Sequence, residues 1–262
     1  MKPSRQPALA FLPILLAAAL GGCGGGDPGP APAARAPVLL ARASASAPAR
    51  VASDYNDLVQ RLYVAYFGRP ADAGGLVYFA QNYLNAGAPT AVGALQGAYL
   101  NNAAVKSLID SFATSAESQA LYPGDNISFI NAVYRNLFNR DAEAAGSAYW
   151  ASGIDSGAIT RADAAVAIMA GAQGSDLDLV NKKNAVASAF TAALDTPTKR
   201  AAYDGLDANV IVRSMLANVG PATTAAAYQN AIAATIGELV AANAPPDPYG
   251  GYAPVAGSAG QR

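Results

Sequence analysis

An all-α domain is the fold this sequence predicts, and three observations predict it. Alanine dominates the chain and β-branched runs are scarce, which favours helix over strand. Between residues 54 and 243 apolar and aromatic side chains recur three and four apart, the period of a helix with one buried face. A long phrase is also written twice: "LYVAYFGRPADAGGLVYF", Leu62 to Phe79, returns as "VYRNLFNRDAEAAGSAYW", Val133 to Trp150. With 52% apolar and only 13% charged residues in 262, the middle of the chain has enough apolar surface to bury a core.

The first element is an address label. "MKPSRQPALAFLPILLAAALGGCGGG" places Lys2 and Arg5 before an apolar run from Ala8 to Leu20. That run is too short to span a bilayer and suits the core of a signal peptide. Leu20-Gly21-Gly22-Cys23 resembles the bacterial lipobox. The resemblance implies that residues 1–22 are removed and that Cys23 becomes a lipidated N-terminus. Two or more acyl chains there hold a protein on a membrane stably. Gly24 follows where an Asp marks inner-membrane retention in many Gram-negative lipoproteins, so the outer membrane is the expected address. Cys23 is the chain's one cysteine, which excludes an intramolecular disulfide. The Gly/Pro/Ala-rich remainder of 23–52 reads as a flexible linker, and 244–262 as a disordered tail.

The helices follow in order. Leu58, Leu62 and Tyr66 form one stripe, with Ser53 and Asp54 as candidate N-caps, and Gly68-Arg69-Pro70 ends it. A second helix starts near Asp72 or Ala73, carries Leu76, Phe79 and Tyr83, and stops at Gly87. The second copy starts near Asn126, breaks at Asn139-Arg140-Asp141 and ends near Gly157. Thr160 with Asp163, and Ser175 with Asp178, read as cap pairs. Pro197 suits a helix first turn, Asp207 a cap, and Pro221 the opening of the last helix. The expectation is nine or ten helices: a body over 53–203 with repeats at about 54–115 and 126–194, and further helices over 204–243 packed on it.

Aligning Leu62 with Val133 pairs Tyr63/Tyr134, Phe67/Phe138, Arg69/Arg140, Gly75/Gly146 and Tyr78/Tyr149, with Phe79/Trp150 aromatic in both. An internal duplication of a helix–turn–helix unit explains this. These phrases, together with "SFATSAESQALY", "SGAITRADAAVAIMAGA" and "LVNKKNAVASAFTAALDTPTKRAAY", resemble the domain-of-unknown-function family numbered 4214. The resemblance extends from about Asp54 to Tyr203. The repeated phrase is also similar to phycobilisome linker domains, which are all-helical. Members of that family often belong to secreted or surface proteins, and the resemblance carries no implication of an enzymatic activity. Family members sometimes stand beside calcium-binding repeats, and the polysaccharide-holding region of some S-layer proteins is distantly similar. This chain departs from the family pattern in its lipobox, its lack of glycine-rich calcium repeats, and Phe79 where Trp is common.

The formal charge is −1, and it becomes −3 without Lys2 and Arg5. No basic face stands out, so nucleic acid is not an expected partner. The chain has no histidine, which excludes His-based acid–base chemistry and the usual transition-metal sites. No catalytic residue, cofactor or metal ligand set is identified. Glu117, Glu143 and Glu238 with scattered Asp form no visible glycosidase pair, and "DSGAITRAD" lacks the alternation and final Glu of a calcium loop.

Arg69 and Arg140 each precede an acid by three residues, Asp72 and Glu143. This spacing reads first as fastening of the interhelix turn with a cap beside it; contact with an anion or sugar is the alternative. The helical spacing of Tyr78, Tyr149 and Trp150 reads first as core, with a glycan-stacking platform as the alternative. The expected function is that of a lipid-anchored envelope protein binding a surface polysaccharide or an envelope protein. An Asp/Glu envelope hydrolase and a self-associating helical module are the competing readings.

Overall fold

The computed structural model describes residues 49–244. Residues 1–48, which carry the expected signal peptide, Cys23 and linker, and residues 245–262, the expected tail, lie outside the described residues. After a 3-10 turn, Ala52–Tyr55, come α1 (Asn56–Phe67), α2 (Ala73–Asn85), α3 (Val92–Asn101), α4 (Ala103–Thr114), α5 (Ala116–Leu121) and α6 (Asn126–Phe138). Then follow α7 (Ala144–Asp155), α8 (Arg161–Ala170), α9 (Gly174–Ala193), α10 (Pro197–Ala202), α11 (Gly205–Ala217) and α12 (Ala225–Ala242). The described residues contain no strand, so the all-α expectation holds, with twelve α-helices in place of nine or ten. The extra helices are short or abutting. α5 and α10 have six residues each, too few for a periodic stripe. α3 and α4 meet at Asn102, whose side chain accepts from the Ala104 and Val105 amides.

Several helix starts differ from expectation. Ser53 and Asp54 sit inside the 3-10 turn, and Asp54 accepts from the Val51 amide at 2.9 Å instead of capping α1. α9 enters through Gly174 at φ +53°, so it begins one residue ahead of Ser175 and has no side-chain cap. Asp207 lies in the first turn of α11, behind the N-cap Asp204. Pro221 belongs to the preceding turn, and Thr224 caps α12 through the Ala227 amide. Asp72 and Thr160 cap as expected, and Pro197 stands in the first turn of α10 as expected, behind the N-cap Thr196.

The helix order repeats: α1, α2 and α3 are answered by α6, α7 and α8, and the α4–α5 stretch by α9. Ser115 breaks the first of these long elements by capping α5, while α9 runs unbroken for 20 residues. α1 is buried around most of its circumference, from Leu58 to Phe67. It packs against α2, α6, α8 and α9, while α9 also reaches α6, α11 and α12. Phe112 of α4 centres an aromatic cluster with Tyr63, Tyr66, Phe67 and Phe79, at ring-centroid distances of 4.4–5.7 Å.

Both copies fasten the turn after their first helix with a side-chain amide. Gln60 Oε1 accepts from the Ala71 amide at 3.0 Å, and Asn131 Oδ1 accepts from the Ala142 amide at 3.1 Å. In the first copy Gln60 also donates to Thr191 Oγ1 of α9 at 2.8 Å, and Thr191 donates to the Ala71 carbonyl at 2.6 Å. Ala71, buried in this turn, therefore has both its backbone groups satisfied.

The paired glycines do different jobs. A Cβ on Gly75 would lie 2.1 Å from the Tyr63 hydroxyl, whereas one on Gly146 would meet nothing within 4 Å. Gly75→Ala is expected to cost about 1–3 kcal/mol through overpacking against the buried Tyr63 ring. Gly146→Ala is expected to be neutral or to stabilise by up to about 1 kcal/mol. Urea denaturation of the two variants checks the contrast.

Lys183 of α9 is 1% exposed and closes the end of α6, donating to the Asn136 carbonyl at 2.6 Å and to that of Arg135 at 3.3 Å. Burial lowers its pKa to about 8. Between about pH 8 and about pH 10.4, the unfolded chain holds a proton that the folded protein has released. Stability therefore rises with pH across that window. Burial raises the tyrosines Tyr66 and Tyr83 well above their ordinary value. Above about pH 10 the unfolded chain therefore loses tyrosine protons first, and stability falls. The urea midpoint should climb from pH 8 and then drop; Lys183→Met should lose the climb and keep the drop.

Candidate functional site

The turn after α1 builds the densest polar cluster. Gly68 ends α1 at φ +64°, a left-handed cap in which a Cβ would also lie 2.6 Å from Asn136 Oδ1. Asn139 takes the same place after α6 at φ +56°. Arg69 then turns inward and is 7% exposed. Its Nε and Nη2 grip Glu117 at 2.8 and 2.6 Å, a two-point pairing. Its Nη1 donates to the Pro70 carbonyl and to the Tyr203 hydroxyl, each at 3.1 Å. The guanidinium lies 5.2–5.7 Å from the ring centres of Tyr63, Phe67 and Tyr203. Burial alone would lower the Arg69 pKa, but its bonds to Glu117 and Tyr203 outweigh that and hold it well above its ordinary value.

Glu117 also accepts from Arg213 Nη1 of α11 at 3.0 Å. One carboxylate of α5 therefore joins the first copy to the C-terminal helices. Tyr203 completes the tie by donating to the Pro70 carbonyl at 2.8 Å, and burial pushes its phenol up to about 12. Arg69 thus performs the turn-fastening job its spacing suggests, and Asp72 caps α2 through the Gly75 amide at 2.7 Å.

Beside this cluster a cleft of about 360 Å³ opens between the α1–α2 turn and the α10–α11 turn. Arg69, Asp72 and Gly74 line one side; Arg200, Tyr203, Asp204, Gly205 and Asn209 line the other. Sequence reading missed Glu117's role and the whole second wall. The α10–α11 segment is about 130 residues from Arg69, and no local spacing links the two. The one available signal was the Asp204-Gly205 pair, a helix start with an open glycine.

Arg140, the counterpart of Arg69, is exposed. It pairs with Asp176 of α9 at 2.6 Å and lies over Tyr134 and Phe138, 5.5 and 5.7 Å from their ring centres. Glu143 stands at the N-cap of α7 but accepts no cap bond. The ring-stacking is thus repeated, while the burial and the Glu117-type pairing are not.

The expectation that the second-helix tyrosines are core residues is overturned. Tyr78 is 60% exposed and Tyr149 71% exposed, at equivalent positions of α2 and α7. On α2 the buried side falls on Ala80 and Tyr83, with Leu76 and Phe79 partly buried against the core. Tyr78, one residue before Phe79, is rotated by about 100° out of that stripe. Each exposed ring is braced edge-on by its neighbour, Tyr78 by Phe79 and Tyr149 by the partly buried Trp150, both at 5.2 Å.

The acids of "DSGAITRAD" are otherwise employed. Asp155 accepts from Asn126 Nδ2 at 2.5 Å. Asp163 is 4% exposed beside Gln96, and burial raises its pKa. Among the described residues no group of three or more His, Cys, Asp or Glu stands together to hold a metal, and no helix is long and apolar enough to cross a membrane.

Residues 109–173 match the model of a family described as a domain of unknown function, DUF4214. The match runs from the end of α4 through the α6–α7 pair and α8, inside the wider stretch over which the sequence phrases resemble that family. No curated protein and no solved structure matches the chain.

Proposed function

We propose that this is a lipid-anchored bacterial cell-envelope protein whose helical body is a non-catalytic module that binds a surface polysaccharide. Acyl chains on Cys23 would hold it at the outer membrane, with the linker as a tether. Anchoring raises its effective concentration at a surface partner without any new contact. The observation that carries the binding reading is the pair of braced, exposed tyrosines at matched positions, Tyr78 and Tyr149. An exposed ring held rigid by its neighbour gives large contact area at low entropic cost. Two such rings would offer a repeating chain two contacts of the same kind, and affinities combine where one chain spans both.

An envelope protein as ligand is the variant of this reading that the same rings would serve. A hydrolase is the second reading, because Asp72 and Asp204 line one cleft as a carboxylate pair must. Asp72 is already engaged as the cap of α2 and stands 3.9 Å from Arg69, so one member of that pair is committed to the fold.

The test is retention of the organism's surface polysaccharide by the immobilised full chain. The parent should retain it, and the double variant Tyr78→Ala/Tyr149→Ala should lose at least about tenfold while its helical circular dichroism is unchanged. Cys23→Ser should leave the membrane fraction. Retention that ignores the tyrosines, or none at all, would contradict the proposal. Shortening of the polysaccharide by the parent but not by Asp204→Asn would favour the hydrolase.

A further inference from the structure

Which part of a polysaccharide the cleft beside Arg69 would take can be argued from its partners. Arg69 itself is consumed, since Glu117, Pro70 and Tyr203 engage its donors. The groups left to a ligand are on the other wall. Arg200 gives one N–H to the Leu194 carbonyl at 3.0 Å; its guanidinium has further donors. Asp204 is the N-cap of α11 yet accepts no cap bond, and among the described residues it makes no ion pair. Gly205, next in line, has φ +87°, and a Cβ there would meet nothing within 4 Å. Its backbone is open to close approach.

The charges around the opening balance once the Arg69 cluster is counted whole: Arg69, Arg200 and Arg213 against Asp72, Glu117 and Asp204. An anion entering would meet two carboxylates, and a cation two guanidiniums. A hydroxyl both donates and accepts, so a ring of neighbouring hydroxyls can satisfy Arg200 and Asp204 together. The volume of about 360 Å³ lies at the low end of the range of about 300–1,000 Å³ for small-molecule sites. Gly74, on the first wall, and Tyr78 are four residues apart on α2. They share one face of the helix, with Tyr78 one turn beyond the cleft.

We propose that this cleft seats one uncharged pyranose unit, held by Arg200, Asp204 and the open backbone at Gly205, with the attached sugar chain continuing over the ring of Tyr78. The inference rests on the polysaccharide reading above and assigns it a site and a sugar class.

The experiment is saturation-transfer NMR on the full chain with four probes: the methyl α-pyranosides of glucose, galactose and mannose, and sodium galacturonate. At least one neutral pyranoside should bind, and more tightly than galacturonate. Ala201→Trp, at an exposed position that lines the cleft, and Asp204→Ala should each weaken that binding at least tenfold. Gly146→Ala, outside the cleft lining, should not change it, and unchanged helical circular dichroism of every variant excludes misfolding. A neutral pyranoside bound equally by parent and both cleft variants overturns the cleft assignment while leaving the polysaccharide reading standing. Tighter binding of galacturonate overturns the uncharged class. If the parent binds no probe yet retains surface polysaccharide, the inference fails alone; if it retains neither, both fail.

Discussion

The side-chain amide of Gln60 is the contact on which the packing of the body turns. It sits in α1, the helix buried on nearly all sides, where an unpaired polar group would be costly. It is satisfied at both ends: its oxygen by the Ala71 amide and its nitrogen by Thr191. Those bonds fix the α1–α2 turn against α9, and α9 in turn packs against α1, α6, α11 and α12. A shorter amide, Asn131, holds the Ala142 amide in the second copy. The repeated phrase is therefore a repeated way of closing a buried turn. An amide holds the backbone, a left-handed residue ends the helix, and an arginine lies over two rings.

What differs between the copies bears on function. Arg69 is drawn inside by Glu117, which Arg213 also grips, so the first turn becomes the seam between the repeated body and the C-terminal helices. Arg140 keeps its rings but stays at the surface, where it donates to Asp176 and to the Asp141 carbonyl. Gly75 is required by the Tyr63 hydroxyl, whereas Gly146 faces open space. Burial is unequal between the two copies: a cleft opens at the first turn, while both present an exposed tyrosine on their second helix.

Much of this was legible in the sequence where the signal is local. The Leu58–Leu62–Tyr66 stripe, the break at Gly68, the Asp72 cap and the Thr160 cap each lie within a few residues of their effect. Short helices such as α5 and α10 were not legible, because six residues show no period. The starts expected from Ser175, Asp207 and Pro221 are displaced in the structure, since a helix start can slide by a residue or more when a neighbouring residue offers a better entry. The exposure of Tyr78 and Tyr149 escaped because adjacent aromatics share a sequence window but not a helix face. The Arg69–Glu117–Arg213 tie and the cleft wall at Arg200 and Asp204 join residues 48 to about 130 positions apart, and only the tertiary fold brings them together.

Native-state amide hydrogen exchange at Ala71 and Ala142 tests the central claim most directly. Both are loop residues, so without the side-chain clamps their amides should exchange as fast as the neighbouring turn. The account predicts protection at both, with Ala71 exchanging only as slowly as the buried amides of α1, because Gln60 and Thr191 tie it to α9. Fast exchange at Ala71, alongside a protected α1, would contradict it.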